Sequence, residues 1–344
     1  MRVTAKMIAT EAGVSEATVS LILNGRTARI SEKTRRKVLD IADKYKFSCN
    51  RIAVSLATRK TKTIGLILPN LTNPLFPRIA ASVEKIAQMN DYALFLCNCE
   101  ESASLFLNYL KAMQSRCIDG LIILLPSEID EKREQYYETI YHAMHQCNVP
   151  IILVEREMHG MHFDFVGLDN KMGGRMAAEY LLKCGHRKIG HVTGTPYFAK
   201  RTEGFLEKLV EHGIQLEENY IVNGDFSVES GYTGAKKLLK QNITAIFAGN
   251  DRMALGAYRA ISECGLRVPE DISLIGFDDD PISEAMLVPL TTIRQSGETM
   301  GKKACELLLS YLEEETEIEK GNTYLIAPTF IERKSVKVYK NIDK

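Results

Sequence analysis

Ser15, Thr18, Ser20 and Asn24 fall within residues 14–24, a spacing that strings short hydrogen-bonding side chains along one short helix. Hydroxyl and amide groups of this kind reach phosphate oxygens or base edges of DNA. Thr18 and Ser20 can equally be consumed by capping and internal bonds. The elements that would position them stand on either side. Gly13 gives the backbone freedom for a tight turn after a first helix over residues 5–11, and Ser15 is a suitable N-cap for the next helix. Val19, Ile22 and Leu23 then share one face, with Glu16, Ala17, Ser20 and Leu21 on the other. This is the layout of a helix-turn-helix, whose second helix lies in the major groove. Two amphipathic helices joined by glycine give the same pattern without DNA, so the flanking sequence has to decide.

A second group could do metal chemistry. His142, His145, Cys147, His159 and His162 lie within 21 positions, and His142 and His145 are one helical turn apart. Zinc needs three or four ligands converging at about 2 Å, and this spacing fixes no such set. Ordinary surface histidines are the simpler reading, and neither a metal nor a cofactor is expected. The chain has no P-loop, no GxGxxG opening a helix and no G-x-S-x-G elbow, so catalysis is not expected.

The charge is unevenly spread. The 344 residues carry 44 basic and 44 acidic side chains, but residues 1–60 hold 13 basic and 5 acidic, a net of +8, and the remainder holds 31 and 39, a net of −8. A basic head on an acidic body predicts a polyanion partner for the head alone. The eight cysteines are scattered with no CxxC pair, which fits a reducing compartment. With no apolar signal core and no apolar run of about 18 residues, a soluble, cytoplasmic protein without membrane contact is expected.

A third helix is predicted over residues 31–46, capped by Ser31, with Val38, Ile41 and Ala42 closing a small core against Ile8, Val19 and Leu23. Lys33, Arg35, Arg36 and Lys37 fall on its early turns. Asn50 can cap a short helix over residues 51–58, and the basic stretch Arg59-Lys60-Thr61-Lys62-Thr63 reads as a linker. From Ile64 the pattern becomes alternating apolar strands and helices. One series runs to about residue 168 and a second restarts at Met172, with a strand over residues 323–331 in a tail that crosses back between the lobes. The fold class is therefore α/β: an all-α headpiece followed by two lobes of parallel sheet flanked by helices.

Taken in order, Ala12-Gly13-Val14-Ser15, Thr18-Val19-Ser20, Leu23-Asn24-Gly25, Ser31-Glu32-Lys33-Thr34-Arg35 and Thr63-Ile64-Gly65 resemble the LacI family of transcriptional regulators. So do Asn73-Pro74-Leu75-Phe76, Gly185-His186-Arg187-Lys188-Ile189, Gly249-Asn250-Asp251, Gly276-Phe277-Asp278-Asp279 and Pro289-Leu290-Thr291-Thr292-Ile293-Arg294-Gln295. The resemblance covers nearly the whole chain. It implies a headpiece over residues 1–48, a hinge helix and linker over 49–62, and a core over 63–338 like a periplasmic sugar-binding protein. It places the first lobe at about 63–163 and 293–322 and the second at about 164–292 and 323–338. It further implies a homodimer on a palindromic double-stranded operator, with a repressor's DNA affinity controlled by a small molecule in the interlobe cleft.

By the same resemblance Glu16, Ala17 and Leu21 are the base-reading positions, with Ser15, Thr18, Ser20 and Asn24 as phosphate or base-edge partners. Many members carry arginine where this chain has Leu21. Arginine reads guanine through two hydrogen bonds, worth about 1–3 kcal/mol of discrimination, whereas leucine can only meet a thymine methyl. The operator is therefore expected to depart from the usual family half-site. In the hinge, Leu56 matches the minor-groove wedge, Ala53 a neighbouring contact and Asn50 the capping position. Cys49 replaces the family's usual proline, which should loosen entry to the hinge helix.

For the effector, the resemblance maps cleft positions onto Asp169, Arg201, Asn250, Asp278 and Gln295, with Leu75, Phe76 and Phe226 as apolar walls. Most lie where strands end and helices begin, the usual crevice of such sheets. Arg201, Asn250 and Asp278 together favour a sugar or sugar derivative; a purine, which Phe226 could stack on, is the alternative. Gly297, where some sugar-binding members carry an aromatic, weakens any choice of particular sugar. Arg201 and Asp278 could instead form a structural ion pair. A ligand-binding protein with no DNA role is the competing class, and the basic headpiece argues against it.

Overall fold

Three helices build the amino-terminal unit of the computed structural model: α1 (Ala5–Ala12), α2 (Glu16–Leu23) and α3 (Glu32–Lys44). The structure describes residues 3–23, 30–45, 60–127, 133–158, 162–194, 199–314 and 321–339, and it separates into two units, Met1–Lys62 and Thr63–Lys344. Thr4 caps α1 by accepting from the Met7 amide. Gly13 ends it at φ +70°, so that the Val14 amide returns to the Ala9 carbonyl at 3.0 Å. The Ser31 hydroxyl caps α3 through the Thr34 amide at 3.2 Å. Ile8, Val19 and Val38 are fully buried where the helices meet, each burial worth roughly 1.5–3 kcal/mol. Ala9, Ala12, Ile22, Ile41 and Ala42 complete this core, and Leu23 only packs at its edge.

The second unit begins with β1 (Thr63–Leu68), α4 (Leu75–Met89), β2 (Ala93–Asn98), α5 (Ala103–Ser115), β3 (Gly120–Ile123), α6 (Arg133–His145), β4 (Ile151–Val154) and β5 (Asp164–Leu168). It continues with α7 (Asn170–Lys183), β6 (Ile189–Thr193), α8 (Ala199–Glu211), β7 (Ile221–Asn223), α9 (Val228–Leu238), β8 (Ala245–Ala248), α10 (Asp251–Glu263) and β9 (Ser273–Ile275). Last come α11 (Pro281–Ala285), β10 (Thr292–Arg294), α12 (Gly297–Glu314), β11 (Thr323–Ile326) and β12 (Thr329–Ile331). A six-stranded parallel sheet, ordered β11-β5-β4-β3-β1-β2, forms the first lobe. A four-stranded parallel sheet, ordered β7-β6-β8-β9, forms the second, with β10 and β12 paired antiparallel beside it. Each parallel sheet has a separate apolar cluster on either face, as its continuous apolar strands require.

Two sequence expectations change here. The resemblance places residues 164–168 and 323–326 in the second lobe, but both strands lie in the first-lobe sheet, with β5 between β4 and β11. Asp164 explains the placement: its carboxylate accepts from the Asn322 amide at 2.8 Å and from the Tyr311 hydroxyl on α12, tying β5 to the segment that leads into β11. The strand expected over residues 323–331 is two strands in two sheets, parted at Ala327-Pro328, where proline lacks the ladder N–H. The chain therefore crosses between the lobes after β5, after β10 and after β11.

Candidate functional site

In the headpiece, α2 presents Glu16, Ala17, Ser20 and Leu21 to solvent while Val19 and Ile22 are buried. Leu21 is 42% exposed, a large apolar side chain on an otherwise polar face. Ser15 and Thr18 are bonded to each other: the Ser15 hydroxyl accepts from the Thr18 amide at 3.1 Å and lies 2.9 Å from its hydroxyl. The capping role foreseen for Ser15 thus holds, and it absorbs Thr18 as well. On α3, Arg35 and Arg36 lie 3.6 and 3.7 Å from Glu32, and Lys33 and Lys37 are exposed. Asn24, Cys49, Asn50, Ala53 and Leu56 lie outside the described residues.

In the core, Arg201, Asn250, Asp278 and Gln295 come together at the carboxyl ends of second-lobe strands and the crossing after β10. Arg201, only 4% exposed, lies with its guanidinium 3.4 Å from the centre of the Phe277 ring. It donates to Asn170 Oδ1 from Nε (3.2 Å) and Nη2 (2.9 Å) and to the Gly249 carbonyl from Nη1. Asp278 Oδ1 lies 3.8 Å from Arg201 Nη1 and accepts from the Gln295 amide. Asn250 caps α10 through the Met253 amide at 2.8 Å and donates to the Phe226 carbonyl at 3.2 Å. Asp169 caps α7 through the Met172 amide at 2.8 Å. Leu75 and Phe76 differ from the rest, being packed into the first-lobe core at 6% and 2% exposure.

Burial governs the electrostatics. It pushes the Asp278 carboxyl up to about 6, against the pull of Arg201 and the Gln295 hydrogen bond. It lowers Arg201 to about 10, which leaves the guanidinium charged at neutral pH, while Asp278, Glu155 and Asp251 pull it back up. Backbone strain gathers in the same place: Glu155, Phe226, Asp278 and Asp279 have φ of +71°, +67°, +115° and +56°. Asp279 is spanned by Arg294 and Arg333, each at 2.7 Å, which holds this turn rigid.

Sequence reasoning missed Glu155, Arg156 and Asn170. Glu155 and Arg156 immediately follow β4, and Asn170 opens α7, so the rule that crevices form at strand carboxyl ends could have found all three. Contacts that span the lobes include Arg78 Nη1 to the Asp279 carbonyl at 3.4 Å and Lys200 Nζ to Glu157 at 3.5 Å. Among the described residues, the members of the histidine group do not form a metal-holding set. His145 packs edge-on against Tyr141 and lies beside Phe163, His142 lies 3.7 Å from Glu138, and His159 is outside the described residues. Among the described residues no three His, Cys, Asp or Glu side chains could hold a metal ion, and no helix is long and apolar enough to cross a membrane.

A three-helix head in one unit and two parallel α/β lobes in the other make up the architecture of a DNA-binding regulator with a periplasmic-binding-protein-like core. Residues 4–50 match the lacI family of bacterial regulatory proteins, and residues 178–336 match the periplasmic binding protein-like domain. The chain is 34% identical over 339 residues to the HTH-type transcriptional repressor PurR of Pasteurella multocida (strain Pm70), covering 97% of this chain and 98% of that one. The lac repressor dimer bound to operator and the anti-inducer ONPF superposes with a TM-score of 0.83 at 27% identity, over 98% of this chain and 100% of that one. A LacI family transcriptional regulator from Enterococcus faecium with bound ribose superposes at 0.69 with 29% identity, over 81% and 100%. The chain belongs to the LacI family and is a DNA-binding repressor of that family. These relatives are regulators rather than enzymes.

Proposed function

We propose that the protein represses transcription as a homodimer on a palindromic operator, and that a small effector in the cleft between the lobes controls its DNA affinity. The observation that carries the effector reading is the convergence of Arg201, Asn250, Asp278 and Gln295 on a strained crevice floor. Polar forks of this type beside apolar rings suit a polyhydroxylated ligand, so a sugar or sugar derivative is the first candidate. The bound ribose of the Enterococcus relative supports it. A purine is the second candidate, favoured by the Phe226 ring 6.0 Å from the Arg201 guanidinium and by the 34% identity to a PurR repressor.

The reading helix is assigned an operator of its own, because Leu21 stands on the exposed face where an arginine would read guanine. Leu56 and Ala53 are assigned to the minor groove at the operator centre, with Asn50 at the capping position of the hinge helix. The test has two stages. A thermal-shift screen of sugars and purines finds the ligand, and DNA binding is then measured with and without it. A ligand that changes DNA affinity supports the reading and gives the sign of the response, since only differential affinity for the two states matters. A tight cleft ligand that leaves DNA affinity unchanged would falsify it.

A further inference from the structure

Asp251, the first residue of α10, is fully buried, and its carboxylate joins two other segments of the second lobe. Oδ1 accepts from the Thr292 hydroxyl on β10 at 2.6 Å. Oδ2 accepts from the Asp280 amide at 2.8 Å, and the Asp251 amide donates to the Phe277 carbonyl at 2.8 Å. The chain comes close to meet it: a Cβ on Gly276 would stand 2.1 Å from Oδ1. A hydroxyl and an amide, rather than a basic side chain, thus receive this carboxylate in the interior. Burial, with the Asp278 charge behind it, pushes the carboxyl well above the ordinary carboxylate range. Keeping an acidic group in such a place is costly.

Each segment that Asp251 joins carries one side chain of the crevice. Asn250 precedes it at the same helix end, Asp278 lies in the turn between Phe277 and Asp280, and Gln295 directly follows β10. The Arg294 and Arg333 bridges to Asp279 tie that turn to β10 and to the tail, whereas Asp251 ties the turn and β10 to α10. We propose that Asp251 is a positioning residue of the effector site, setting the spacing of Asn250, Asp278 and Gln295 from inside the lobe without touching the ligand. This rests on the reading of the cleft as the effector site. Polar groups select a ligand only when held within about 0.5 Å of their productive places. Without the carboxylate, the Asp280 amide and the Thr292 hydroxyl lose their partner in the interior and shift to find others. Asparagine keeps both bonds, with its oxygen on the Asp280 amide and its NH2 donating to the Thr292 oxygen.

The test uses the full chain and its variants Thr292→Val, which keeps the shape and removes only the hydroxyl, Asp251→Ala and Asp251→Asn. Amide hydrogen exchange is followed over residues 276–283 and 291–297. Glucose, ribose, glucosamine and hypoxanthine are titrated calorimetrically. Thr292→Val and Asp251→Ala should speed exchange in those two stretches and weaken the compound that the wild-type chain binds by at least about tenfold. Asp251→Asn should bring the affinity back to within about threefold of wild type and restore the slow exchange. A merely structural role would speed exchange throughout the second lobe, or leave Asp251→Asn as weak as Asp251→Ala; either result overturns the inference while the effector reading stands. Exchange and affinity unchanged in Thr292→Val and Asp251→Ala overturn it in the same way. Faster local exchange with unchanged affinity removes Asp278 and Gln295 from the effector site, which overturns that reading and the inference with it. So does a wild-type chain that binds none of the four compounds.

Discussion

Gly174 and Arg201 meet backbone to backbone: a Cβ at Gly174 would stand 1.9 Å from the Arg201 carbonyl oxygen and 2.9 Å from the Phe205 nitrogen. Gly204 is the reciprocal contact, where a Cβ would lie 2.0 Å from the Lys171 carbonyl oxygen. α7 and α8 cross at a distance that only glycine permits, and this crossing holds Arg201 against Asn170. Gly174→Ala should therefore do two things. It should lower stability by about 1–3 kcal/mol through overpacking, read as a fall in Tm. It should also weaken effector binding, because Arg201 is pushed with its helix. Gly213→Ala is the control: Gly213 has φ +72° and open space around it, so alanine there costs stability without moving Arg201. Equal affinity loss in both variants would count against the positioning role of Gly174.

Glu155 makes stability depend on pH in a stated direction. Burial pushes its carboxyl up to about 7 from an ordinary 4.5, against the pull of Arg156 and Arg201. Between those values the folded protein holds a proton that the unfolded chain has released, so the penalty is absent at low pH and grows as pH rises towards 7. Glu155→Gln should raise stability by on the order of 2 kcal/mol near pH 8 and change little near pH 4.5. Thermal melts of both proteins across this range read the crossover directly.

His191 and His186 act in the opposite sense. His191 is fully buried, stacked on Phe247, with ring nitrogens 2.9 Å from the Phe247 carbonyl and 3.0 Å from the Thr202 hydroxyl. Burial lowers both histidines to about 4 from an ordinary 6.5. As pH falls through that window the unfolded chain binds protons that the folded protein refuses, and stability is lost. His191→Gln, which removes one titrating group, should flatten the decline of Tm between about pH 6.5 and 4 even if the starting Tm is lower. An unchanged slope would mean that His191 is protonated in the folded protein.

Leu21→Arg should restore guanine reading. The expected gain is about 1–3 kcal/mol for half-sites with guanine at the position that residue meets, with loss of preference for thymine there. Selection from random DNA with the wild-type chain and the variant makes the comparison. Recovery of one and the same palindrome by both proteins would show that Leu21 takes no part in base reading.

Periodicity and capping carried most of the fold into the sequence. The headpiece core of Ile8, Val19, Val38, Ile41 and Ala42 was legible because each residue recurs at helical spacing behind a hydroxyl cap. Lobe membership was not legible for β5 and β11, because an apolar strand carries no mark of which sheet it joins; Asp164 settles it only through partners more than a hundred residues away. Pro328 was a readable break that the apolar run over residues 323–331 obscured. The gathering of Arg201, Asn250, Asp278 and Gln295 in one crevice was legible through the resemblance of their motifs. Glu155 was not, since its importance lies in an unmade hydrogen bond and a left-handed backbone that residue type does not encode.

The three passages of the chain between the lobes have a mechanical consequence. Three side-by-side tethers leave two rigid bodies one soft motion, rotation about the line that joins them, and stiffen the pair against shear and twist. Asp169 lies on the first tether and Gln295 on the second. A ligand that gripped both residues would pull on the axle itself, and a small displacement there would become an angle at the far edge of each lobe.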